Sequence, residues 1–235
     1  MSKKFFVILG LFIVAGFLFL NTNPVSAASK YWTGNGTSTD FWLLGNWDTA
    51  VPVSGDDIFL FATSTKTAVV STPVSLGAGK IYVGYNDKGN TAANSSGSFY
   101  LIVKEGASIT NTGIFTVGTS STVWLTSGSL SVGTTTIQQL ASTTISSVTG
   151  ATSTVTIAGN FTLGAGALYT SPANSTTTIN LPSGTSGTAT FYATSTPTFG
   201  YLVFGGTGTT NLQNSVTVAN RLSIAAGRTL AAGGG

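Results

Sequence analysis

Four aspartates in a short stretch, Asp40, Asp48, Asp56 and Asp57, are the side chains best suited to chemistry in this chain. Two carboxyl groups facing each other across a sugar ring can hydrolyse a glycosidic bond. Carboxylates as close in sequence as Asp56 and Asp57 can also supply hard oxygen ligands to calcium. Against both readings, an Asp among Gly and Asn residues commonly accepts hydrogen bonds from turn amides. The chain contains neither His nor Cys, so it lacks the usual general base, a thiol nucleophile and the common transition-metal ligands. Its many serines have no His partner to activate them. The residues therefore point to a protein that is not an enzyme and carries no cofactor, with Asp56 and Asp57 as candidate calcium ligands.

Three tryptophans share that stretch. In YWTGNGTSTDFWLLGNWDTAVPVSGDDIFLF, Tyr31 to Phe61, the rings Trp32, Trp42 and Trp47 lie among Gly, Asn and Asp. Aromatic faces flanked by polar groups suit a sugar-binding platform. Three large rings can equally close the end of a stacked β structure, where core and unpaired strand edges need covering. Trp124 lies inside a strand-like segment and fits either the core or the surface of one layer.

The elements that would position these residues are strands. Residues 106 to 220 contain no charged side chain, and 46 of those 115 positions are Ser or Thr. Short segments alternating apolar and polar residues recur there, including IFTV, TVWLT, SLSV, NFTLG, TTTINL and SVTVAN, each bounded by turn residues. No stretch after the first thirty residues keeps a helical period. The phrases GIFTVG, GSLSVG and GNFTLG end at Gly118, Gly133 and Gly164, and similarity at short range is the mark of a solenoid. The phrases are expected to be successive layers of an all-β parallel solenoid, with apolar residues stacked inside and Thr and Ser forming ladders outside. Tandem β-sandwich domains are the alternative.

Lys3 and Lys4, the apolar run Phe5 to Leu20 and Val25-Ser26-Ala27 form a secretory signal, with cleavage expected after Ala27. The run is shorter than the roughly 20 residues of a bilayer span, so the mature chain is not expected to insert in a membrane. Without residues 1–27 the chain has seven basic and six acidic residues, which gives no electrostatic footprint for nucleic acid. The expected organisation is a signal peptide at 1–27, a capping segment at 28–61 and β-solenoid coils over 62–235, and the mature chain as a whole has length for about ten coils at roughly 20 residues each.

The pattern W-x-G…FW…NW…VP…GDDIF comprises Trp32, Gly34, Phe41-Trp42, Asn46-Trp47, Val51-Pro52 and Gly55 to Phe59. It resembles the entry segment of bacterial autotransporter-like and adhesin-like β-helix proteins. The stretch Phe199 to Gly235 is similar to coils common in those proteins. The resemblance implies a right-handed parallel β-helix at the cell surface, serving adhesion or acting as a stalk, and it carries over no active-site residue. Glycans or other surface components are the expected partners. The chain lacks the membrane barrel and sorting motif of such proteins, and its last residues look like mid-coil, so continuation in a longer chain or end-to-end self-association is expected.

Overall fold

In the computed structural model, the structure describes residues 27–61, 64–86, 93–94, 98–118, 121–137, 142–146, 152–164, 167–180, 187–191, 197–212 and 214–232. The expected signal peptide, except Ala27, lies outside them. Strands form wherever apolar and hydroxyl side chains alternate. In Phe99–Val103 the side chains of Phe99, Leu101 and Val103 are fully buried, while Tyr100 and Ile102 between them are half-exposed. Period-2 alternation puts one set inside and the other outside.

The strands stack in parallel. One nine-stranded sheet runs from Ser29–Tyr31 through Asp57–Leu60, Ile81–Val83, Phe115–Val117, Thr135–Ile137, Phe161–Leu163, Gly187–Phe191 and Gly208–Leu212 to Arg228–Ala232. A twelve-stranded sheet supplies two further faces. The first of these stacks Lys66–Val70, Phe99–Val103, Thr122–Thr126, Ser142–Ser146 and Leu168–Thr170. The second stacks Val74–Gly77, Ser108–Asn111, Ser129–Val132, Thr154–Ile157 and Thr176–Asn180. The long strand Thr198–Gly205 joins the two, since Thr198 pairs with Thr170 while Tyr201 to Gly205 pair with Thr176 to Asn180. Gly200 sits at the bend, where a Cβ would lie 1.9 Å from the Pro172 carbonyl oxygen. The chain is thus an all-β parallel β-solenoid with three stacked faces.

Register makes the core continuous. Val74, Ile109, Leu130, Val155, Thr177, Leu202 and Leu222 form one inward column, each beside the next. Its hydroxyl member, Thr177, meets the phenol of Tyr169 at 2.7 Å, so a buried polar group is satisfied inside the column. On the last described rung of this face Leu222 and Ile224 are 45% and 44% exposed, whereas Leu202 and Phe204 beneath them are fully buried.

The repeat has a different geometry from the one expected. GIFTVG and GNFTLG contribute Phe115–Val117 and Phe161–Leu163 to the nine-stranded sheet, with Thr135–Ile137 between them. GSLSVG contributes Ser129–Val132 to another face. Its distance from GIFTVG is therefore a step around one coil, and the phrases are not successive layers. What repeats on three successive coils is a glycine two residues before the first inward residue of the strand in the nine-stranded sheet. Gly79, Gly113 and Gly133 precede Ile81, Phe115 and Thr135, which lie side by side. A Cβ on Gly79 would sit 1.9 Å from the Asp56 carbonyl oxygen, one on Gly113 2.0 Å from that of Gly79, and one on Gly133 2.4 Å from that of Gly113. The corner closes only when each backbone rests directly on the one below.

Coils also vary in length. One coil takes the interval from Phe115 to Thr135, and another the longer interval from Ile81 to Phe115. The longer one carries a small antiparallel pair, Tyr85–Asn86 with Ala93–Asn94. Among the described residues no helix is long and apolar enough to cross a membrane.

Candidate functional site

The aromatic segment folds over the first coil and uses its backbone to pair strand edges. Ser29–Tyr31 pairs with Asp57–Leu60. The Phe41 amide donates to the Val69 carbonyl at 2.9 Å, and the Val69 amide donates to the Thr39 carbonyl at 2.8 Å. The Gly55 amide donates to the Leu76 carbonyl at 2.8 Å. Each of the three faces thus has partners for its first edge, which would otherwise expose a row of unpaired groups.

The rings do not share an environment. Trp32 and Trp47 are 3% and 5% exposed and meet edge to face at 5.2 Å. Trp32 also packs edge-on to Phe99, a core residue of the next coil, at 6.4 Å. The Trp47 indole N–H donates to the Phe41 carbonyl at 2.7 Å. Neither ring presents a face to a sugar. Trp42 is 36% exposed, packs against Phe41 at 5.5 Å and donates its indole N–H to the Thr72 hydroxyl at 2.8 Å. Of the three candidate rings only Trp42 reaches solvent.

Asn46 organises the loop beneath them. It is fully buried, its Oδ1 accepts from the Gly36 amide at 2.9 Å, and its Nδ2 donates to the Ser38 and Asp40 carbonyls at 2.8 and 2.9 Å. Sequence reasoning noted Asn46 only as part of a resemblance. Its signal was a lone Asn before a buried Trp.

The aspartates bind backbone amides. Asp56, 2% exposed, accepts from the Ala28 amide at 3.1 Å through Oδ1 and from the Val53 amide at 3.0 Å through Oδ2. Asp57 accepts from the Lys80 amide at 2.8 Å, and the Lys80 ammonium lies 3.9 Å from its other oxygen. Asp40 accepts from the Trp42 amide at 2.8 Å and Asp48 from the Tyr31 amide at 3.1 Å. Among the described residues no group of three or more acidic side chains comes together to hold a metal ion. Asp56 and Asp57 are neighbours in sequence, but their oxygens are aimed at amides of different coils.

Other side chains with chemical character lie along the coils. On the outside of the nine-stranded sheet Tyr31, Phe59 and Tyr82 stack face to face, with centroids 5.0 and 5.1 Å apart. Trp124 points outward and is 40% exposed. Tyr169 is buried between Phe161 and Phe199, and burial pushes its phenol well above the ordinary range. Arg228 is 7% exposed and donates to the Thr207 carbonyl at 2.6 Å, while its Nε and Nη2 have no partner. Burial lowers its affinity for a proton.

On the outer side of the Thr176–Asn180 face lies an open groove of about 230 Å³, lined by Thr176, Tyr201, Val203, Arg221 and Ser223. Tyr201 sits between Thr176 and Arg221 in register, and Val203 is paired with Ser223. Comparison with protein-family models, curated proteins and solved structures finds no match for this chain.

Proposed function

We propose that this protein is an exported, non-catalytic β-solenoid that serves at the cell surface as a stalk or adhesive scaffold, in the manner of autotransporter-like and adhesin-like proteins. The observation that carries this reading is the unbroken stack of parallel rungs with hydroxyl-rich outer faces. A stack of this kind holds its outward side chains, many of them Ser or Thr, at a fixed spacing of about 4.8 Å, which suits weak contacts repeated along a surface. The N-terminal signal pattern supports export. The engagement of Asp40, Asp48, Asp56 and Asp57 with backbone amides supports a structural role for the carboxylates. The burial of Trp32 and Trp47 favours a cap over a three-ring sugar platform.

The test is to express the full chain in a bacterial host and to weigh the protein in the surface and extracellular fractions. A chain beginning at Ala28 is expected there, and beads coated with it are expected to adhere to glycan-bearing cells. Retention in the cytosol with Met1 to Ala27 intact would overturn export. Polysaccharide turnover that disappears in Asp56→Asn or Asp57→Asn would overturn the non-catalytic reading.

A further inference from the structure

The groove beside Tyr201 combines features that nothing in the scaffold requires. Residues 106 to 220 carry no charge, and the first charged side chain after them is Arg221. Its side chain is exposed and outward, because Leu222 beside it continues the inward column from Leu202. No ion pair or hydrogen bond engages Arg221 among the described residues. Its cross-strand neighbour is Tyr201, 36% exposed, and the next outward pair is Val203 with Ser223. Tyr201 and Arg221 are register partners on adjacent parallel strands, about 4.8 Å apart, and both line the same groove.

We propose that this groove binds a uronate unit of an acidic polysaccharide. The guanidinium offers paired donors in the geometry that matches a carboxylate. The Tyr201 ring supplies an apolar face with a polar edge, which suits the flat side of a sugar ring, and Val203 gives an apolar floor. Thr176 and Ser223 place hydroxyls at the rim, where ring hydroxyls need partners. At about 230 Å³ the groove is smaller than a drug-sized pocket of roughly 300–1,000 Å³, and it accommodates one ring of a polymer lying across the rungs. Phosphate is the poorer fit. The backbone amides here lie in the sheet plane and pair with the next rung, so they cannot aim at an anion above the face. Outward positions on the neighbouring rungs continue as Thr178, Thr154 and Thr156, giving a glycan further hydroxyl contacts as it leaves the groove.

This inference deepens the adhesive reading above by giving it a ligand class, and its failure is separable because export is read from a mass and binding from a gel. The probe is polygalacturonate cast in a native gel, with dextran and fully methyl-esterified pectin as neutral controls. The protein is expected to be retarded by polygalacturonate and to pass through both controls. Arg221→Gln and Tyr201→Ala should each weaken retention by about tenfold or more, the size expected for losing a charge-assisted hydrogen bond or a ring contact. Arg221→Lys keeps the charge without the paired donors and should lose part of the affinity. Lys104→Gln removes the same charge at another exposed position and should leave retention within about twofold. All four variants should melt with the parent, because the substituted side chains lie outside the core. Equal losses in Lys104→Gln and Arg221→Gln would overturn the site, as would unchanged retention in Arg221→Gln and Tyr201→Ala. Retardation by dextran or esterified pectin equal to that by polygalacturonate would overturn the acidic specificity, and no retardation by polygalacturonate would overturn the proposal outright.

Discussion

Replacing Trp47 and Trp42 by alanine separates a cap from a sugar platform. Trp47→Ala deletes a ring that is 5% exposed and packed edge-on against Trp32 at 5.2 Å and Phe41 at 5.0 Å. A buried Trp→Ala change costs about 3–5 kcal/mol. It also strips the Phe41 carbonyl of its indole donor, worth about 1 kcal/mol or more at a buried acceptor. The sum, about 4–6 kcal/mol, rivals the whole stability of many domains. Trp42→Ala removes a ring that is 36% exposed, one contact with Phe41 and a hydrogen bond to Thr72 at the surface, so about 1 kcal/mol is expected. The assay is urea unfolding followed by circular dichroism and tryptophan fluorescence. In a solenoid each rung contacts only its neighbours, so loss of the cap is expected to appear as an early transition of the first coils. Equal midpoints for the two variants would refute the cap, as would a Trp47→Ala protein of unchanged stability that had lost glycan binding.

Gly113→Ala should cost more than about 3 kcal/mol and cut soluble yield, because its Cβ meets the Gly79 carbonyl oxygen at 2.0 Å and that of Ala78 at 2.5 Å. Gly106→Ala, at φ 74° in open space, should cost only about 1 kcal/mol of backbone strain, and thermal melts compare the two. Tyr169→Phe leaves the Thr177 hydroxyl without its partner and should lower stability by about 1 kcal/mol at neutral pH. The parent carries Tyr169 with a raised pKa when folded, so its unfolded state loses that proton first. Stability due to this group is whole below pH ~10 and falls by about 1.4 kcal/mol per pH unit above it, a slope that Tyr169→Phe should remove in alkaline melts. Arg228→Met removes two unpartnered buried donors for one lost hydrogen bond and should raise stability by about 1 kcal/mol, read as a higher melting temperature.

The strands were legible in the sequence because alternation is a local property. Val123 and Leu125 go inward and Trp124 outward for the same reason that their neighbours in the chain differ. The order of the coils was less legible. GIFTVG and GSLSVG look alike because strands on every face obey the same pattern, and only their corner contacts tell one face from another. A coil can lengthen at a corner without disturbing register, as the pair at Tyr85–Asn86 and Ala93–Asn94 illustrates, so a fixed period does not survive in the chain. The glycines were the better signal. Gly79, Gly113 and Gly133 each precede an inward residue by two positions, and the close approach of one backbone to the next requires them.

The candidate sites were harder to read because side-chain environment depends on the third dimension. Trp32, Trp42 and Trp47 lie in a loop without alternation, and nothing in their spacing says that two turn inward and one outward. The aspartates were recognisable as turn residues from their Gly and Asn neighbours, and each now has an amide partner. Tyr201 and Arg221 are a whole coil apart, and they become neighbours only because Leu202 and Leu222 share an inward column. On a β-solenoid a binding face is written once per coil, so its residues are found by aligning the inward columns and reading the outward positions across them. Applied to this chain, that alignment sets an aromatic ring beside a cation on a face whose neighbouring outward positions are largely hydroxyls, and the scaffold itself needs neither of them there.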